Sequence, residues 1–316
     1  MNKRIRVCAN PALTPALSPR RGRIVSRLWR EPGARSVDPP SVNVRKAVRR
    51  LGLILLGFVS LALCGCASWQ RSLIYVPSQD SPARLDALAK AHGIERWKNS
   101  AGENIGWRWP ARHRPARGQL LVTHGNAGYA LQRSYLANPL SEAGALDVFV
   151  LEYPGYGDRP GPPTEKAFFK AAEDAFEELP ANALTYLIGE SLGTGVASYL
   201  AGKYPESVSG VLLLAPYNSL VGVAQYHVKV LPAWLILCDR FRSEKYLANY
   251  NGPVGILVGD KDQIVPAKFG RKLFDSYKGP KQLWEFPDGD HGSINRQPPE
   301  FWNGVVSFWR ENEKRE

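Results

Sequence analysis

Short apolar runs punctuate the chain at 119–124, 147–153, 184–188, 211–214 and 254–258. Each is nearly continuous in Val, Leu, Ile and aromatic residues, as strands covered on both faces should be. A sixth run, 281–286, mixes charged and apolar residues and predicts a last strand nearer a sheet edge. Trp97 and residues 105–109 predict an N-terminal antiparallel hairpin. Between the runs the period changes to that of helices. Behind Thr164, a residue suited to capping, Phe168, Ala172, Ala175, Phe176 and Leu179 recur at three- to four-residue spacing. Further helices are predicted over 196–204, where Pro205 stops the pattern, and over 267–277 and 301–309. Strand-like and helix-like segments alternate, which predicts an α/β fold: a mostly parallel central sheet with helices on both faces. Residues 66–316 contain no internal repeat and no low-complexity linker, so they read as one domain. Segment 216–250 parts two core strands and is rich in apolar residues. It predicts a short lid of one or two helices, placed either as an apolar wall over a site or as core packing.

Charge divides the chain. The formal net charge is +12, but residues 1–65 hold 13 Lys/Arg against two Asp/Glu. The remainder holds 28 basic and 27 acidic residues, so the domain is nearly neutral and no nucleic-acid partner is expected. Residues 1–43 show no helical or strand period and carry the Pro-rich run Asn10–Gly22. They read as a disordered arm or as sequence upstream of a true start near Val44. Residues 44–65 read as a signal peptide: Arg45, Lys46, Arg49 and Arg50 precede 13 apolar residues, Leu51 to Leu63. That run is short for a membrane span and suits a signal core. The following Leu63-Cys64-Gly65-Cys66-Ala67 resembles a bacterial lipoprotein cleavage site, with Cys66 as the lipidated residue. Cys64 departs from the usual pattern. Ala67 in place of Asp points to the outer membrane of a Gram-negative envelope, facing the periplasm. The chain has four cysteines, and Cys238, in an apolar stretch, is expected to be a buried packing residue.

The chemistry concentrates after strand ends, where open α/β sheets form their sites. Gly189-Glu190-Ser191-Leu192-Gly193 joins a predicted strand to a predicted helix. This G-x-S-x-G context puts a serine hydroxyl on a sharp, exposed turn, with glycines permitting close backbone approach. A serine needs a base to act as nucleophile. In this arrangement the acid and then the histidine follow the serine in the chain. Of five histidines only His227 and His291 lie beyond Ser191. His291 follows the last predicted strand and is the expected base; His227, in an apolar helical stretch, is expected to be structural. The loop after 254–258 offers two acids, Asp260 and Asp262, and Asp290 adjoins the histidine as a loop brace. An oxyanion needs preorganised N–H donors. Leu192 is one expected donor; the other is Asn126, with Ala127 as the alternative, in His124-Gly125-Asn126-Ala127-Gly128. His124 is expected to brace that loop.

The motifs H-G-N-A-G, P-G-Y-G (154–157), G-x-S-L-G and G-D-x-D-x-x-V-P (259–266) together resemble the α/β-hydrolase superfamily over about residues 70–310. They are similar to a branch that includes membrane-associated depalmitoylating thioesterases, lipid hydrolases and serine aminopeptidase-like proteins. The resemblance implies an α/β-hydrolase fold and selects Asp262 as the acid, leaving Asp260 to brace the turn. Asp158-Arg159-Pro160 departs from the branch after P-G-Y-G, which touches the loop's part in substrate binding. The expected activity is hydrolysis of a carboxyl ester or thioester of an acyl or lipid-like substrate, by Ser191, Asp262 and His291, without cofactor or metal. A peptidase of the serine aminopeptidase type and a non-catalytic binding lipoprotein are the alternatives. An acidic pocket for a free amine is not evident in the sequence, and a dead scaffold would commonly have lost one of the three residues.

Overall fold

The computed structural model describes residue 49 and residues 68–312, apart from 114, 144 and 231. The extension at 1–43, the expected signal segment at 44–65 apart from residue 49, and Cys66 therefore lie outside the described residues. Eight strands form one sheet: β1 (Glu95–Lys98), β2 (Asn104–Trp109), β3 (Gly118–Thr123), β4 (Leu146–Leu151), β5 (Thr185–Glu190), β6 (Gly210–Leu214), β7 (Val254–Gly259) and β8 (Lys281–Phe286). Their order is β1-β2-β4-β3-β5-β6-β7-β8. The β1–β2 hairpin is antiparallel and pairs antiparallel with β4, while the other pairings are parallel. The expected α/β-hydrolase fold is the one observed.

Alternation along the strands builds two cores. Leu121 of β3, Leu187 of β5 and Ile256 of β7 face the helices Glu165–Glu177, Gly193–Lys203 and Ala267–Ser276. Leu120, Val122, Ile188 and Leu257 point to the other face, against Leu85, Leu136, Leu140, Trp302 and Trp309. This period of two is why the central runs read as continuously apolar: both faces are covered. Thr164 caps the helix Glu165–Glu177, its hydroxyl accepting from the Ala167 amide at 3.0 Å. Trp309 stacks on Tyr186 at 4.7 Å and donates its indole N–H to the Val211 carbonyl, docking the last helix, Pro299–Asn312, to the sheet.

Two helices were not predicted from the sequence pattern. Pro82–Ala91 is capped by Ser81 and packs only Leu85 and Ala89 inward. Ser134–Ala143 carries Pro139 inside it, a residue that reads as a helix breaker. It forms because Leu136, Ala137 and Leu140 are wholly buried in the second core. Segment 216–250 holds three short helices rather than one or two: Leu220–His227, Ala233–Ile236 and Ser243–Leu247. Both readings of it apply, to different parts. Phe241, Leu247 and Tyr250 are core, whereas 226–236 is largely exposed.

Candidate active site

Strand β5 ends at Glu190, and the helix Gly193–Lys203 begins two residues after Ser191. The turn leaves Ser191 at φ +49°, a conformation that costs a non-glycine residue about 1 kcal/mol or more and persists only when its surroundings impose it. Here they do. A Cβ on Gly189 would stand 2.6 Å from Thr194 Cα, and one on Gly193 only 2.0 Å from the Thr123 carbonyl oxygen. The strand, the turn and the helix can approach this closely only through glycine.

The loops after β7 and β8 bring up the acid and the histidine. Asp262 is buried, and its Oδ1 accepts from the amides of Ile264 and Val265, each at 2.8 Å. Its Oδ2 lies 2.7 Å from His291 Nδ1, and His291 Nε2 lies 3.0 Å from Ser191 Oγ. The three expected residues, 29 and 100 positions apart in sequence, are thus hydrogen-bonded in series. Because Asp262 is an acceptor, Nδ1 carries the ring proton, and Nε2 presents its lone pair to the serine hydroxyl. Asp260 pairs with Arg271 outside this series, and Asp290 accepts from the amides of Gly292 and Ser293 at 3.0 and 2.8 Å, bracing the His291 turn.

Ser191, Leu192, Gly125, Asn126 and Ala127 line one cavity of about 730 Å³ with His291. Its other walls include Leu73, Ile74, Leu220, Val223, Leu237 and Val265. Leu192 opens the helix, where backbone N–H groups have no intrahelical acceptor. The Asn126 side chain ties its loop down: Oδ1 accepts from the Val76 amide at 3.0 Å and from Tyr156 at 2.9 Å, and Nδ2 donates to the Ile74 carbonyl.

A family model for the alpha/beta hydrolase fold matches residues 119–236. An uncharacterized protein of Mycobacterium tuberculosis is 32% identical over 245 residues, covering 76% of this chain and 84% of that protein. The chain belongs to the α/β-hydrolase superfamily. The lysophosphatidylserine lipase ABHD12 of Macaca fascicularis is 29% identical over 199 residues, 56% of this chain and 50% of the lipase. Among solved structures, the Pyrococcus furiosus esterase Pf2001 shares the fold with a TM-score of 0.53 at 15% identity, over 76% of this chain and 96% of the esterase.

The site holds residues that sequence reading missed. Glu190 is buried beside the nucleophile and fixes three loops at once. Its Oε2 accepts from the Gly125 amide and pairs with Arg133, both at 3.0 Å; its Oε1 accepts from Tyr135 and, at 2.8 Å, from Asn295 Nδ2. No local signal could reveal this, since its partners lie 55 to 105 residues away. One expectation needs correction. Cys238 is exposed, because its apolar neighbours form part of the cavity rim rather than core. His227 has the structural part expected of it: it ends its helix on the exposed wall of the cavity and ties to the neighbouring loop, with Nε2 2.9 Å from the Ile264 carbonyl oxygen.

His124 braces its loop as expected, its Nδ1 donating to the Gly125 carbonyl at 2.7 Å. It is fully buried, and burial, reinforced by the Arg133 cation, lowers its pKa to about 3. Its Nε2 lies 3.4 Å from Glu152 Oε1. Burial pushes the Glu152 carboxyl up to about 8, against the opposing pull of the Ala130 amide. Stability acquires two opposed slopes from this pair. Below about pH 6.5 the unfolded chain protonates His124 while the folded chain does not, so stability falls with falling pH down to about 3. Above about pH 4.5 the unfolded chain releases the Glu152 proton that the folded chain keeps, so stability falls as pH rises to about 8. Glu152→Gln keeps an acceptor for the Ala130 amide and removes the titrating group. Its thermal midpoint is expected to decline less than the wild type's between pH 6.5 and 8 by scanning calorimetry; equal declines would exclude Glu152 as the source.

Proposed function

We propose that the protein is a serine hydrolase that cleaves a carboxyl ester or thioester of a lipid-like acyl substrate. The observation that carries this reading is the Ser191–His291–Asp262 series at an apolar-walled cavity of about 730 Å³. As the Ser191 oxygen attacks the acyl carbonyl, His291 Nε2 takes its proton, and Asp262 stabilises the imidazolium that forms. The N–H groups of Asn126 and Leu192 receive the oxyanion. His291 then returns the proton to the leaving alkoxide or thiolate, leaving an acyl-Ser191 ester. Water, deprotonated by the same nitrogen, releases the acid. The lysophosphatidylserine lipase and the esterase among the similar proteins support an acyl or lipid substrate. An aminopeptidase needs a free carboxylate to bind the substrate's ammonium. Glu190 is the one acidic residue among those lining the cavity, and Gly125, Arg133, Tyr135 and Asn295 already engage it. The retained serine, histidine and acid count against a non-catalytic binder. Acylation of Cys66 would tether the domain to a bacterial envelope membrane, in our reading the outer membrane on its periplasmic side.

A fluorophosphonate probe is expected to label the wild-type protein at Ser191. A series of p-nitrophenyl esters of rising chain length should be hydrolysed, and an aminoacyl anilide should not. No labelling of folded protein, or preference for the anilide, would overturn the reading.

A further inference from the structure

Twelve large apolar side chains are exposed among the described residues, and ten of them fall in three short segments. The segments are 69–76, with Trp69 and Leu73; 226–236, with Val230, Trp234 and Leu235; and Ile264. Exposed apolar residues on a soluble protein are ordinarily scattered, so such concentration marks an interaction surface. The segments are stitched together. Gln70 Oε1 accepts from the Cys238 amide at 3.1 Å, and Arg71 and Tyr75 both bond Asp239, at 3.1 and 2.9 Å. On the other side His227 Nε2 meets the Ile264 carbonyl at 2.9 Å. All three segments also line the cavity, through Leu73, Ile74, His227 and Ile264. The apolar surface is therefore the rim of the cavity that holds Ser191.

We propose that this rim docks onto a phospholipid bilayer, so that the cavity opens toward the acyl layer. Three observations select a bilayer over a protein partner. Residues 68–76 and 226–238 contain no Asp or Glu; of their charged side chains Arg71 is paired with Asp239, and Lys229 is exposed. Lys268, over the Tyr226 ring at 3.9 Å, adds a further cation at the rim. Apolar side chains with peripheral cations and Trp suit the headgroup boundary of an anionic membrane. Trp69 and Trp234 are 60% and 64% exposed, the placement that amphipathic rings take at that boundary. Finally, Ser68 of this rim is two positions from Cys66 in sequence, a reach of at most about 7 Å of extended chain, so a lipid on that cysteine would be tethered within that reach of the same surface. The inference rests on the lipid-hydrolase reading for its purpose, but the docking itself does not require catalysis.

The test uses the full chain reconstituted into vesicles of phosphatidylcholine with phosphatidylglycerol, in which the lipid chains are brominated near the headgroups. The chain has nine tryptophans, and residues 44–68 contain none, so an inserted signal segment contributes no emission. Brominated lipid is expected to quench roughly a fifth of the wild-type emission, the share of two interfacial tryptophans. The doubly substituted Trp69→Phe, Trp234→Phe chain should lose that quenching. Equal quenching in the two chains, or none in either, overturns the proposal. A detergent-solubilised dimer that is broken by Trp234→Asp, without lipid quenching, assigns the rim to a second copy instead and also overturns it. Ser191→Ala should be quenched like the wild type, so a failure of the fluorophosphonate labelling and a failure of docking are read separately.

Discussion

Replacing Ser191 by alanine is expected to reduce ester turnover by roughly 10⁴- to 10⁶-fold, about 5.5 to 8 kcal/mol of transition-state stabilisation. Without Oγ no acyl-enzyme can form, and the remaining rate comes from water attack assisted by the oxyanion donors and binding. Stability should be nearly unchanged or slightly higher. The residue is held at φ +49° by Gly189 and Gly193, not by its own hydroxyl, and alanine meets the same backbone with one polar atom fewer. The measurement is kcat on a p-nitrophenyl ester, with a thermal melt beside it. A variant that retains more than a tenth of the wild-type rate, folded normally, would remove Ser191 from the reaction.

Asp262→Asn should cost about 10⁴-fold in kcat, and the structure explains why an isosteric change is so damaging. Oδ1 of Asp262 is fixed by the amides of Ile264 and Val265. An asparagine must therefore keep its oxygen there and turn its NH₂ toward His291 Nδ1. That nitrogen then has to accept, so the ring proton moves to Nε2, and the lone pair that faced Ser191 at 3.0 Å is lost. The loss should fall in kcat rather than KM, because Asp262 is buried behind the histidine and does not line the cavity. A loss confined to KM would contradict this account.

The parts of this protein legible in the sequence are those encoded locally. Continuous apolar runs gave the parallel strands, since a strand buried on both faces must be apolar at every position. The serine turn was legible because its glycines, strand and helix are contiguous, and chain order then left His291 as the base. The acid was less determined: spacing allowed Asp260 or Asp262, and family likeness separated them. Tertiary structure decided what depends on distant partners. Glu190 became the anchor of the Gly125, Arg133 and Asn295 segments only when folding brought together residues as far as 105 positions apart. The helix Ser134–Ala143 forms around Pro139 because its apolar face is buried, a gain no local propensity records. The apolar stretch around Cys238 shows the same limit from the other side. Sequence determines that those residues are apolar, but only the fold decides whether an apolar residue meets core or solvent, and here it sets them on the open rim of the cavity above Ser191.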